Sequence, residues 1–133
     1  MQLPSRVSFW APPVVQMALI FALSSMTGRQ VGRLPFAVAD WVAHAALFGA
    51  LAALLLRAFA SGAWDAVTGR AAILAAALAA LYGATDEYHQ RFVPGRSVSG
   101  MDLIVDAVGA SAASGVCWAW GIMRRFRRRA SAR

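Results

Sequence analysis

Four long apolar segments, separated by short polar connections, dominate the pattern of the chain. They run over about residues 9–26, 40–60, 70–89 and 102–123. Each is close to the roughly 20 mostly apolar residues that an α-helix needs to cross a bilayer. The connections carry helix breakers, among them Gly28, Gly62 and the Pro94-Gly95 pair. We therefore expect an all-α integral membrane protein, with one domain built as a four-helix bundle.

The first segment has a second interpretation, as a signal peptide. Arg6 gives a weakly positive start and the apolar stretch that follows is short, as in a signal sequence. No small-x-small cleavage site follows, because Ser24-Ser25-Met26 leads directly into Thr27-Gly28. We therefore favour a helix that stays in the mature protein.

Composition supports a membrane setting. Hydrophobic residues make up 59% of the chain and charged residues 14%, against about 45–50% and about 25% in soluble domains. The net charge is +7, but all 13 basic residues are arginines and six of them fall in the last ten positions. This charge forms a tail rather than a stripe along a groove, so nucleic-acid binding is not expected.

The arginines also predict the orientation. Four spans place both termini on one side of the membrane, and nine arginines fall on that side against four on the other. The positive-inside rule then puts both termini in the cytoplasm. Residues 124–133 form a basic cytoplasmic tail in this interpretation, and the tail should attract anionic membrane lipids.

Seven of the eight acidic and histidine residues fall at the predicted outer ends of the second, third and fourth helices. They are Asp40, His44, Asp86, Glu87, His89, Asp102 and Asp106. Ionisable groups at such depth usually face the bundle interior and pair with one another. We expect a polar pocket at the outer face, with Arg96 as its cationic partner. In a binding or scaffold protein, His44 would pair with Asp106 and Arg96 with Asp86 or Asp102.

Helix capping is the structural alternative for single members of this set. Asp40 and Asp102 can each cap a helix N-terminus, and His89 can cap a C-terminus. Capping does not explain why three helices carry such residues to the same membrane face.

The central polar segment resembles the signature of the VanZ-like family. It reads Asp86-Glu87-Tyr88-His89-Gln90-Arg91-Phe92-Val93-Pro94-Gly95-Arg96 and continues to Ser99, Asp102 and Gly109. The start of the second helix, Asp40 to His44, is similar to the family's Asp-Lys-x-x-His, with Trp41 in place of Lys. Ser24-Ser25 fits the family's Ser-Ser. Asp106 stands where Asn is common, so this site is more acidic than the usual pattern.

The resemblance covers about residues 10–115 and implies a setting more than a reaction. The family is named for a membrane protein that raises resistance to the glycopeptide antibiotic teicoplanin. Implied partners are membrane lipids and a lipid-linked cell-envelope precursor or a glycopeptide. The implied location is the cytoplasmic (inner) membrane, with several spans.

Two classes of function remain open at this point. An enzyme acting on an envelope substrate would use Asp86, Glu87 and His89 as general acid/base groups. Arg96 would hold a phosphate or carboxylate of the ligand. The other candidate ligand-binding residues are Asp40, His44, Gln90, Asp102, Asp106, Ser24 and Ser25. The alternative is a scaffold or binding protein without catalysis, in which this polar cluster is structural.

A divalent metal is a further hypothesis, and no cofactor is otherwise indicated. His44, Asp86, His89 and Asp102 offer the nitrogen and oxygen donors that zinc and similar ions accept. A transporter is disfavoured, because the polar residues stop at one face instead of lining the bundle.

Overall fold

The structure is a computed structural model that describes residues 6–33 and 39–132. These residues form five α-helices and no strand. The helices are α1 (Arg6–Ser24), α2 (Gly28–Val31), α3 (Asp40–Phe59), α4 (Gly69–Gln90) and α5 (Gly100–Ser131). A 3-10 turn, Trp64–Ala66, lies between α3 and α4. The predicted all-α class is confirmed.

The helix boundaries differ from the expected ones mainly in the connections and at the C-terminal end. The short α2 lies in a connection expected to be irregular, and the Thr27 side chain accepts a hydrogen bond from Gln30 N to start it. The expected tail from Arg124 onward is not a separate segment within the described residues, since α5 continues to Ser131. Arginine is a good helix former and no Gly or Pro follows Gly121, so nothing stops the helix there. Arg133 lies outside the described residues.

Within residues 6–33 and 39–132, two helices, α3 and α5, are long and apolar enough to cross a membrane. The apolar part of α1, Ser8–Ser24, is shorter than a typical span. In α4 the polar residues near both ends, among them Arg70 and Glu87, lower the hydropathy of an alanine-rich helix.

Helix α3 occupies the centre of the fold and packs against α1, α4 and α5. Its Phe48, Leu51 and Leu56 are fully buried in the apolar core. Helices α3 and α5 approach closely at Gly109, where an added Cβ would lie 2.5 Å from the Ala45 carbonyl oxygen. Small residues permit such close approach between helices whose outer surfaces are apolar.

Contacts at both ends of the helices set their relative directions. At one end, here called the arginine end, Arg125 donates to the carbonyls of Asp65 and Val67 at 2.9 and 2.7 Å, and Arg128 pairs with Asp65 at 2.7 Å. At the opposite end, here called the polar end, Gly28 N donates to the Pro94 carbonyl at 3.2 Å. The polar end therefore collects the C-termini of α1 and α4 and the N-termini of α3 and α5.

Candidate functional site

The polar end brings together residues from all four long helices. Helix α1 contributes Ser24, the turn that follows it contributes Ser25, and α3 contributes Asp40 and His44. Helix α4 contributes Asp86, Glu87, His89 and Gln90, and α5 contributes Asp102 and Asp106. These residues nevertheless fall into separate hydrogen-bonded groups.

Asp86 joins α1 to α4. Its Oδ2 accepts hydrogen bonds from Ser24 Oγ at 2.7 Å and from Gln90 Nε2 at 3.0 Å. The side chain is only 4% exposed, and its Oδ1 has no hydrogen-bond partner in residues 6–33 and 39–132. A buried carboxylate with one unused oxygen retains the capacity to bind a donor.

His44 and Asp106 join α3 to α5. His44 Nδ1 lies 2.9 Å from Asp106 Oδ1, and Asp106 is fully buried. The carboxylate rests against Gly83 of α4, where an added Cβ would come within 2.7 Å of Oδ2. An ionised carboxylate only accepts hydrogen bonds, so Nδ1 donates to an ionised Asp106, and a neutral ring with that tautomer has its lone pair on Nε2.

Glu87 joins α4 to the start of α5. Its Oε2 accepts a hydrogen bond from Ser99 N at 3.1 Å, and the Ser99 side chain caps α5 by accepting from Met101 N. Glu87 is 6% exposed, and its Oε1 is unpartnered within the described part of the chain. One donor atom each from His44, Glu87 and Asp102 lie within 4.8 Å of one another.

His89 lies apart from these buried groups. Its Nε2 is 3.0 Å from Ser25 Oγ in an exposed hydrogen bond, and its ring packs 4.5 Å from the ring of Phe21. The four residues considered above as metal ligands are therefore not gathered around one point. Asp86 is hydrogen-bonded to Ser24 of α1. The carboxylate that lies near both His44 and Asp102 belongs to Glu87.

Arg96 does not form the ion pairs that the sequence predicts. Its Nη2 donates to the Leu23 carbonyl at 3.3 Å, and no carboxylate of the described chain lies within salt-bridge distance of it. The chain turns at Gly95, whose φ of +74° favours glycine, and this turn directs Arg96 to the C-terminus of α1. A cation is favourable at that end of a helix. Arg96 Nε is buried and has no partner among the residues described.

A cavity of about 210 Å³ lies between α1, α3 and α4 at the polar end. Its polar lining residues are Ser24, Asp40, His44, Asp86, Gln90 and Arg96. Its apolar lining residues are Ile20, Leu23, Met26, Val31, Ala43, Leu47 and Phe48. Drug-sized ligands occupy pockets of roughly 300–1,000 Å³, so this cavity fits a headgroup or a small polar group.

Several residues that shape this site have no catalytic or ligating character in the sequence. Gly83 gives the Asp106 carboxylate its place, and Leu23 and Ser99 take part through backbone atoms. Backbone partners leave no sequence signal, because every residue type offers them. Gly83 leaves a weak sequence signal, because it is a small residue one helical turn before Asp86 and Glu87.

Comparison with known proteins supports the resemblance of the polar motif. The family model described as VanZ/LLP1 matches residues 8–124, which is most of the chain and includes every candidate site residue. Searches against curated proteins and against solved structures gave no significant match. On the strength of the match over residues 8–124, the chain belongs to the VanZ/LLP1 family.

Proposed function

We propose that this chain is a four-span protein of the cytoplasmic (inner) membrane, with both termini in the cytoplasm and the polar end at the outer face. Large apolar side chains on the outside of the bundle support insertion of α1, α4 and α5. Val15 is 66% exposed, Ile73 72%, Leu81 63% and Val116 69%. Such a surface suits lipid, which needs no polar partners from the protein.

The distribution of arginine supports the orientation. Arg125 and Arg128 lie at the arginine end, and the other basic residues of the last helical turns follow on the same helix. Single-cysteine labelling tests this orientation in a Cys117→Ala background. Ser97→Cys at the polar end should react with an impermeant maleimide from outside the cell, and Ser131→Cys only after the membrane is opened. Labelling of Ser97→Cys from the cytoplasm alone contradicts the proposal.

The activity we propose is binding of a cell-envelope or lipid-linked ligand in the cavity at the polar end. The observation that carries it is a small cavity with both a buried donor and a buried acceptor left unused. Arg96 Nε is the donor and Asp86 Oδ1 the acceptor, and both residues line the cavity. The apolar lining around them suits a ligand whose phosphate or carboxylate group adjoins an apolar chain.

The separate hydrogen bonds of the three candidate acid/base residues favour ligand binding over catalysis. Asp86 bonds to Ser24, Glu87 bonds to the Ser99 backbone, and His89 bonds to Ser25. These groups point to different neighbours instead of forming one constellation. A non-catalytic structural network is the second candidate, and the full burial of Asp106 against His44 favours it.

Native mass spectrometry of the detergent-purified protein separates the two candidates. Vesicles containing a polyprenyl phosphate serve as the ligand source, and phosphatidylglycerol vesicles as the comparison. We expect a bound polyprenyl phosphate in the parent, its loss in folded Asp86→Asn and Arg96→Gln, and its retention in Asp65→Asn. No adduct in the parent, or equal binding by both cavity variants, contradicts the binding proposal. Aggregation of the cavity variants together with an adduct-free parent supports the structural network.

The family phenotype gives an independent assay in cells. We propose that expression of the chain raises tolerance to teicoplanin and that Asp86→Asn removes the effect without lowering the amount of protein in the membrane. Equal tolerance of cells with the parent and with Asp86→Asn counts against a role of the cavity in that phenotype.

A further inference from the structure

We propose that the polar end holds a divalent transition-metal ion between His44, Glu87 and Asp102. The ligands are His44 Nε2 and one carboxylate oxygen each from Glu87 and Asp102. This site differs from the cavity described above and does not depend on the ligand proposed for it. The three residues come from three different helices, so the ion would link α3, α4 and α5.

The distances suit a site that closes around an ion. One potential donor atom of each residue, a ring nitrogen of His44 and a carboxylate oxygen of Glu87 and of Asp102, already lies within 4.8 Å of the other two. Ligands that stand roughly 2.0–2.2 Å from zinc are about 3–3.5 Å apart from one another. The donor atoms therefore need to approach one another by at most about 1.8 Å as the site closes around an ion.

The environment of His44 matches that of a metal-binding imidazole. Such a histidine almost always gives its other ring N–H to a carboxylate, which orients the ring and raises its basicity. Asp106 Oδ1 takes this role at 2.9 Å from His44 Nδ1, and it is itself fully buried. The ring nitrogen left for the ion is Nε2.

Glu87 supplies the independent indication that a ligand belongs here. The side chain is 6% exposed, and Ser99 N holds its Oε2 at 3.1 Å while Oε1 lacks any partner in the described ranges. A buried charged oxygen without a partner is costly, and binding a cation removes that cost. The carboxylate is thus both held in place and left with a free oxygen.

Charge balance favours a doubly charged ion. Four carboxylates, those of Asp86, Glu87, Asp102 and Asp106, lie at the polar end, and Arg96 forms a salt bridge with none of them among the described residues. Glu87 and Asp102 together carry two formal negative charges, which one divalent cation neutralises. One imidazole and two carboxylates suit zinc and manganese, and three protein ligands leave a coordination position open. Because His44 also lines the cavity, the ion would lie beside the ligand bound there.

Metal titration of the full-length protein tests the site. The detergent-purified protein is stripped with EDTA and titrated with Zn²⁺, Mn²⁺ and Co²⁺, followed by calorimetry, elemental analysis and the visible absorption of Co²⁺. We expect one equivalent of metal in the parent. Loss of a residue that only hydrogen-bonds to a metal ligand weakens metal binding roughly 10–100-fold. Glu87→Gln and Asp102→Asn remove direct ligands and should weaken it by more than that. Asp65→Asn makes the same chemical change at the arginine end and should bind as the parent does.

Two results overturn the proposal. One is a parent protein that binds none of the three ions, and the other is unchanged affinity in folded Glu87→Gln or Asp102→Asn. If Glu87→Gln does not fold, Asp102→Asn decides the matter, because Asp102 is only partly buried whereas Glu87 is buried. No lipid is present in this titration, so its failure leaves the polyprenyl phosphate experiment unaffected.

Discussion

Two histidines with similar hydrogen bonds but different burial allow a matched test of the buried network at the polar end. His44 bonds to Asp106 at 2.9 Å, and His89 bonds to Ser25 at 3.0 Å. Each substitution to alanine removes one imidazole and one hydrogen bond. The acceptor left behind differs, because Asp106 is fully buried whereas the Ser25 side chain is exposed to solvent.

The magnitudes follow from that difference. In His44→Ala neither oxygen of Asp106 keeps a partner among the residues described, since Oδ2 has none in the parent. Removing one member of a buried pair costs on the order of 3–5 kcal/mol. In His89→Ala water can replace the ring at Ser25, so the loss should stay within about 1 kcal/mol. The free energies of unfolding should therefore differ by about 2 kcal/mol or more.

Unfolding by SDS in mixed micelles measures both variants, with the five tryptophans as the fluorescent probe. EDTA is present throughout, so that no bound ion adds to the stability of the parent. His44→Gln restores a donor towards Asp106 and should recover part of the loss. Equal losses in His44→Ala and His89→Ala, or a loss below about 1 kcal/mol in His44→Ala, would refute the account of the buried pair.

Two further predictions concern packing and the arginine end. Gly109→Ala should separate α3 from α5 and prevent purification of a folded protein, because the added Cβ lies 2.5 Å from the Ala45 carbonyl oxygen. Gly115→Ala on the same helix meets no described atom within 4 Å and should leave size-exclusion behaviour unchanged. Arg125→Met should lower the free energy of unfolding by about 1–3 kcal/mol, since two loop carbonyls lose a charged donor. Arg127→Met, at an exposed position, should have no measurable effect in the same SDS titration; equal losses would mean that the carbonyl contacts contribute nothing.

The meeting of polar residues at one end could be predicted from the sequence because helix lengths and short connections constrain it. Consecutive long helices of similar length run in alternating directions, so the end of one lies level with the start of the next. His44 and Asp106 therefore lie at the same depth, and an imidazole and a carboxylate at the same depth are expected to form a hydrogen bond. The family motif reinforces the same conclusion through residues that are contiguous in sequence.

Choices between neighbouring partners could not be predicted, because they depend on how each helix is rotated. Gln90 is within helical reach of both Asp86 and Glu87, and it bonds to Asp86, which faces α1 as Gln90 does. Arg96 was expected beside a carboxylate and bonds to a backbone carbonyl instead. Its direction depends on the left-handed turn at Gly95, a conformation that spacing along the chain does not reveal.

Helix α5 connects the two ends of the molecule without a break. Near its start Asp106 meets His44, and near its end Arg125 reaches the loop after α3. The two contact points are 19 residues apart on one continuous helix. Inserting one residue between them would shift one point by about 1.5 Å along the axis and turn it by about 100°. The number of residues between Asp106 and Arg125 must therefore stay constant for both contacts to form in the same molecule, whereas the types of those residues can change.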